Sequence, residues 1–422
     1  MGIAVAMAIA VGIIVYANNP STSVLPNGNI PVGEAPSISD TPAAADQNVI
    51  DKGSADSLVN ANNQFALDFY SRINDDDRNI FFSPWSISTA FGIAYEGTRG
   101  STADEIRSVF GFPQDDLERR SSFASIQNDL NRQDADYKLH VANALWIMKG
   151  FKLLDEYVDT ARIYYDSEVA NVDFATDESR QTTNKWVKSK TNEKIKDLLP
   201  SGSTNEYTQL VITNAIYFKG DWVTQFDKEK TADEDFKVSP DKTVKAPMMK
   251  LEETEFNYAE TEELQVLEMP YRGDKLSMLV ILPKGGLQSL EGSLTVEKLS
   301  EWKGVLSKQG VVVNMPKFKL ETNYGLEDTL IQMGMPSVFQ SGIADLSGIN
   351  GTLGLFISDA FHKAFVDVNE EGTEAAAATA IIMNESASPV NYFNADHPFI
   401  FIIQDNETGN ILFMGRVVDP IA

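Results

Sequence analysis

Apolar residues recur at helical spacing near the start of the folded part of the chain, where Leu58, Val59, Phe65, Ala66, Phe69 and Tyr70 fall on one face. Ser83-Pro84 opens a second helix running to about Tyr95, with serine as cap and proline in the first turn. The pattern predicts further helices over 101–110, 119–131, 154–165, 177–195, 288–306 and 323–333. Interleaved runs rich in β-branched and aromatic residues predict strands over 139–148, 209–219, 264–271, 276–282, 311–319, 355–369, 399–404 and 411–417. The last two, joined across Asp405 to Gly409, read as a closing hairpin. Nothing repeats and no internal linker interrupts the pattern, so one α+β domain from about 56 to 422 is expected.

Ahead of that domain the pattern changes twice. Residues 1–16 are uninterruptedly apolar, which reads as a signal or membrane anchor. The run is shorter than the ~20 residues of an ordinary spanning helix, and no Lys or Arg precedes it. A secreted or extracytoplasmic protein is expected, held at a membrane only if residues 1–16 stay uncleaved. Residues 17–55, rich in Pro, Ser, Asn, Gly, Ala and Thr, bury too little surface to offset chain entropy and read as a flexible linker.

Composition narrows the function classes. The 422 residues are 43% hydrophobic, enough for a large core. A net charge of −26 and a pI near 4.5 argue against nucleic acid and against anionic membrane surfaces. The absence of cysteine excludes disulfides, thiol catalysis and thiolate metal sites. No Gly-x-Ser-x-Gly elbow, His-Glu-x-x-His, phosphate loop or dinucleotide fingerprint is present, so no enzyme, cofactor or metal site is expected. Of the three histidines, His140 and His362 lie within strand runs as structural residues, beside His397. Asp75, Asp76 and Asp77 read as a solvated turn without calcium-loop spacing.

The segment from Glu370 to Ala380, Glu-Glu-Gly-Thr-Glu-Ala-Ala-Ala-Ala-Thr-Ala, supports two local readings. Alanines behind acidic residues suit the first turns of a helix. In an extended chain, Thr373, Ala375, Ala377, Thr379 and Ile381 would share one face of small side chains, fit to slide between existing strands. No proline occurs between Pro336 and Pro389 to block such a ladder.

This segment resembles the mobile reactive loop of a serpin, and other blocks follow in the family's order. They are Asn79 to Ile87, Thr213 to Trp222, Asp345 to Gly348, His362 to Ala364, Asn369 to Ala376 and Ala395 to Phe399. The resemblance covers nearly all of 56–422 and implies a fold of three sheets and eight or nine helices, with a reactive loop at about 370–392. It further implies a monomeric inhibitor that forms a covalent acyl complex with a serine endopeptidase and is consumed as a suicide substrate. Glu370, Gly372, Thr373, Glu374, Ala375, Ala376, Ala377 and Ala378 would form the hinge. Ser83, Ser86, Asn214 and His362 would form a polar shutter beneath the opening sheet, and Trp222, Lys317 and Glu370 a breach at its top.

Counting 14 positions beyond Gly372, as the family implies, places the scissile carbonyl on Ser386, followed by Ala387, with Glu385 and Met383 as alternatives. Ser386 suits elastase-like or subtilisin-like proteases of small-residue specificity. No Lys or Arg lies between Lys363 and Arg416, so a trypsin-like pocket would face no cation. Sequons occur at Asn350, Asn384 and Asn406, and sugar on Asn384 would obstruct the bond expected to be cut. The competing expectations are a non-inhibitory serpin-like binding or storage protein, cleaved without trapping, and a tethered surface protein.

Overall fold

The computed structural model describes residues 52–74, 77–131, 136–373 and 390–422. Outside them lie residues 1–16, nearly all of the linker, Asp75 and Asp76, hinge residues Glu374 to Ala378, and Met383, Asn384, Glu385, Ser386 and Ala387. Ten α-helices are present among the described residues: α1 Lys52–Ile73, α2 Pro84–Gly97, α3 Gly100–Phe110, α4 Asp116–Leu130, α5 Asp155–Tyr165, α6 Asp177–Lys190, α7 Leu287–Ser293, α8 Val296–Gly304, α9 Glu327–Met333 and α10 Ser347–Asn350. The strands are β1 Ile80–Phe82, β2 Tyr137–Met148, β3 Glu168–Val172, β4 Leu210–Asp221, β5 Ala232–Ser239, β6 Lys242–Glu260, β7 Leu264–Pro270, β8 Leu276–Pro283, β9 Ser307–Pro316, β10 Phe318–Gly325, β11 Asp359–Asn369, β12 Gly372–Thr373, β13 Asn391–Asn394, β14 Phe399–Asp405 and β15 Ile411–Val417.

Where this differs from the sequence expectation, the reason is local. Helix α1 starts at Lys52, inside the segment read as linker. The helix expected over 288–306 is two, because Thr295 caps a new start by accepting from the Lys298 amide. That expected over 323–333 begins only at Glu327, since Asn323 to Gly325 complete β10. Helix α6 stops at Lys190, and Asn192 and Glu193 then take left-handed backbone (φ 48° and 60°) that turns the chain across the sheet. The run 311–319 divides at Lys317 into β9 and β10, which belong to different sheets.

Strand order in the six-stranded sheet is β10-β11-β12-β4-β2-β3, and the other strands form a nine-stranded ladder. Three separate sheets were expected. The 19-residue β6 joins two of them, pairing β5 through its first half, β7 through its end and β9 along most of its length. Helix α2, buried along almost its whole length, packs against β2 and β4 of one sheet and β15 of the other. The main core lies around it. A second, smaller core fills the space under α6 on the outer face of the six-stranded sheet, with Trp146, Phe174, Val187, Leu198 and Tyr217.

Candidate functional site

Strand β12 is two residues long and decides the reading of the six-stranded sheet. Gly372 and Thr373 lie antiparallel to both neighbours, Thr373 opposite Val368 of β11 and Gly220 of β4. Below them no strand intervenes, and β11 pairs directly with β4 in parallel, from Asp359 opposite Val211 to Phe365 opposite Tyr217. The sheet is thus wedged open at one end and closed along the rest of the seam. Position 372 requires glycine, because φ is +151° and an added Cβ would sit 2.2 Å from the Gly220 carbonyl oxygen. Thr373 faces the main core, where its hydroxyl lies 2.8 Å from that of Tyr271, itself stacked on Trp222 at 4.5 Å between ring centroids.

The chain leading into the wedge is clamped. The Lys317 ammonium lies 2.9 Å from Glu370 Oε2, and the Thr231 hydroxyl donates to Oε1 at 2.8 Å. Burial opposes ionisation of Glu370, but the hydrogen bonds from Lys317, its own backbone and Thr231 outweigh it and hold the carboxyl below its usual range. Glu371 pairs with Lys228. The Trp222 and Phe226 amides donate to the Glu371 and Glu370 carbonyls at 2.9 and 2.8 Å, and the Trp222 indole donates to the Asn369 carbonyl at 3.1 Å. Trp222, Lys317 and Glu370 therefore meet in one cluster, which also includes Thr231, Lys228 and Gln225, residues that sequence reasoning did not select.

Halfway down the seam sits a second polar cluster at the start of α2. The Ser83 amide donates to His362 Nε2 at 3.0 Å, so Nδ1 carries the ring proton and points at Asn214 Oδ1 across the β4–β11 pairing. Asn214 Nδ2 donates to the Ser86 carbonyl at 2.9 Å and contacts Asn143 Oδ1, while Ser83 Oγ donates to the Leu412 carbonyl at 2.6 Å. His362 is fully buried, which pushes its pKa down to about 3 and keeps it neutral. Ser83, Ser86, Asn214 and His362 are thus brought together. Asn143 completes the set and was missed. Its signal was an amide at an inward position of the apolar run 139–148.

Neither remaining histidine faces a nucleophile among the described residues. His140 stacks on Tyr217 at 5.6 Å, and His397 has Asp396 on Nδ1 but the Pro283 carbonyl oxygen 2.8 Å from Nε2. No metal-holding group of carboxylates and histidines exists among the described residues, and no helix among them is long and apolar enough to cross a membrane. Of the sequons, Asn406 is engaged on both sides, donating to the Asp274 carbonyl and accepting from Ser277.

The pattern of the family described as serpin (serine protease inhibitor) matches residues 60–420. An uncharacterized serpin-like protein of Methanosarcina acetivorans is 42% identical over 368 residues, covering 86% of each chain. Human leukocyte elastase inhibitor is 42% identical, covering 86% of this chain and 99% of its own. The structure of human thyroxine-binding globulin superposes with a TM-score of 0.80 at 32% identity, covering 87% of this chain and 99% of that one. The chain belongs to the serpin family.

Proposed function

We propose that this serpin is a suicide inhibitor of a serine endopeptidase with a small-residue pocket. The observation that carries the reading is the wedge: Gly372 and Thr373 already occupy the end of a slot whose remainder is a directly paired, separable seam. Continuing the register of Thr373 carries residues 374–382 past Lys219 to Val211 on β4 and past Asp367 to Asp359 on β11. Because Thr373 faces the core, Ala375, Ala377, Thr379 and Ile381 would face inward, all but the last small. Thr379 would arrive between Asn214 and His362, offering a hydroxyl to the two groups it separates. Glu374 would face outward opposite Lys219.

In this mechanism the protease serine attacks the carbonyl carbon of Ser386. An ester forms, the peptide C–N bond to Ala387 breaks, and the new amine leaves with the proton. The freed loop then exchanges one parallel ladder for two antiparallel ones, which are more stable per residue, and carries the protease away before water reaches the ester. Glu385 and Met383 stay as alternative cleavage positions. A relative named for leukocyte elastase supports the elastase-like target, and the apolar residues 1–16 support an extracytoplasmic setting. A fold shared with a thyroxine-binding globulin keeps a binding protein as the second reading. Incubation with elastase-like and subtilisin-like proteases separates them, since the inhibitor yields a complex that survives denaturing electrophoresis and a binding protein yields only fragments.

A further inference from the structure

The described residues hold the sequons of Asn350 and Asn406, and the fold treats them in opposite ways. Asn406 is fully engaged, its Nδ2 donating to the Asp274 carbonyl at 2.8 Å and its Oδ1 accepting from Ser277 at 2.6 Å. The sequon hydroxyl is engaged as well, since Thr408 Oγ1 donates to Asp405 Oδ1 at 2.8 Å and accepts the Asn410 amide at 3.2 Å. Neither group can be reached without opening the turn between β14 and β15. Asn350 closes α10, after which Gly351 takes left-handed backbone (φ 79°) and returns its amide to the Ser347 carbonyl at 2.8 Å. Asn350 Oδ1 accepts the Thr352 amide at 3.0 Å, so the oxygen is held on the turn and Nδ2 is left without a partner among the described residues. The Thr352 hydroxyl has none there either.

The turn also stands clear of the molecule on a fixed base. Residues 351–354 are all exposed, Leu353 at 71%, and a Cβ placed on Gly354 would meet nothing within 4 Å. Beneath it the Ile349 carbonyl accepts the Leu154 amide at 2.9 Å, the Asp345 carbonyl accepts the Arg99 amide at 2.9 Å, and the buried Ile349 side chain packs on Gly97 of α2. We infer that Asn350 is the acceptor of an N-linked oligosaccharide, transferred to the folded chain from a lipid phosphate-linked donor. In the transfer Nδ2 attacks the anomeric carbon of the first sugar. The C–N bond forms, the C–O bond to phosphate breaks and the lipid phosphate leaves, while the amide gives one proton to a base of the transferring enzyme. The unpartnered Thr352 hydroxyl, two residues on along the same exposed turn, is the group that enzyme holds. Transfer of this kind acts on exported chains, and only this point rests on the extracytoplasmic reading of residues 1–16.

The test uses the folded full chain, a single-subunit oligosaccharyltransferase and a lipid pyrophosphate-linked oligosaccharide as probe donor, read by intact mass and glycopeptide mapping. Sugar is expected on Asn350 of the wild type. It should be lost in Asn350→Gln and in Thr352→Val, which keeps the backbone turn but lacks the hydroxyl, and be restored in Thr352→Ser. Asn406 should stay bare in the folded protein and become modified only after denaturation. A bare Asn350 in the folded chain, under conditions that modify a free peptide of residues 346–356, overturns the site, and so does sugar reaching Asn406 of the folded chain as fast as Asn350. In an N-glycosylating host the exported full chain should carry sugar on Asn350, and an exported chain bare at that position overturns the inference. A chain kept inside the cell and bare, yet modified at Asn350 by the purified enzyme, overturns the extracytoplasmic reading and leaves the site standing.

Discussion

Reversing the charge at Glu370 should release the hinge far more than it unfolds the domain. Opening the segment in the wild type forfeits the two amide bonds from Trp222 and Phe226 and the four register pairs of β12 with β11 and β4, neutral interactions of about 1 kcal/mol each. The Lys317 pair adds only about 1 kcal/mol, because the lysine side chain is 37% exposed. Release therefore costs about 7 kcal/mol. In Glu370→Lys the attraction becomes repulsion of similar size, and an ammonium replaces a carboxylate in a site 5% exposed, a cost of about 3 kcal/mol. Together these offset about 5 kcal/mol of the opening cost and raise the open population by several thousandfold. Hydrogen exchange of the Trp222 and Phe226 amides reads this directly, and chain-to-chain strand addition on native gels reads its consequence. Unchanged exchange and polymerisation rates would refute the assigned role of the clamp. Glu370→Gln, which keeps the Thr231 bond, should fall between the two.

Four further outcomes are expected. Gly372→Ala should expel the wedge, since its Cβ meets the Gly220 carbonyl at 2.2 Å, and should be seen as a loss of Tyr271 and Trp222 protection without loss of the core. Asp359, at the far end of the seam, has its pKa raised to about 6 by burial and by Glu327, against 3.8 unfolded. A raised carboxyl favours folding only while protonated, so stability should fall as pH rises from about 4 to 6, and Asp359→Asn should remove that slope and add about 2 kcal/mol at neutral pH in denaturant titrations. His362 acts with the opposite sign: held neutral down to about 3, it should make stability fall as pH drops below 6.5, a slope that His362→Gln abolishes. Thr379→Val should leave the intact protein unchanged and lower the stability of the cleaved form by about 1 to 3 kcal/mol, because Asn214 and His362 would face a methyl group; equal melting of both cleaved forms would remove Thr379 from the seam.

Much of the architecture was legible because alternation and apolar runs persist where both faces are covered, as in β7, β8, β14 and β15, all found within a residue or two of the expected bounds. Strand β6 escaped because Pro247 and the acidic stretch of exposed Glu252, half-buried Glu253 and exposed Glu255 mask its inward residues. The break at Lys317 escaped because β9 and β10 form one continuous apolar-rich run, and only tertiary pairing shows that the chain changes sheets there. The polar clusters were legible through blocks shared with a family, not through periodicity, since Ser83 reads equally well as a helix cap and His362 as a core histidine. Their hydrogen bonding is visible only once β4, β11 and α2 converge. Asn143 shows the limit: a buried amide announces a partner without naming it.

Suicide inhibition requires that cleavage be followed by insertion fast enough to hold the ester. Mixing the purified chain with an elastase-like protease, then combining denaturing electrophoresis with intact-mass analysis, tests it most directly. A covalent complex retaining the protease and the chain through Ser386 is expected, with release of the fragment beginning at Ala387. Complete cleavage that leaves the protease active, with no gain in thermal stability of the cut protein, would contradict it.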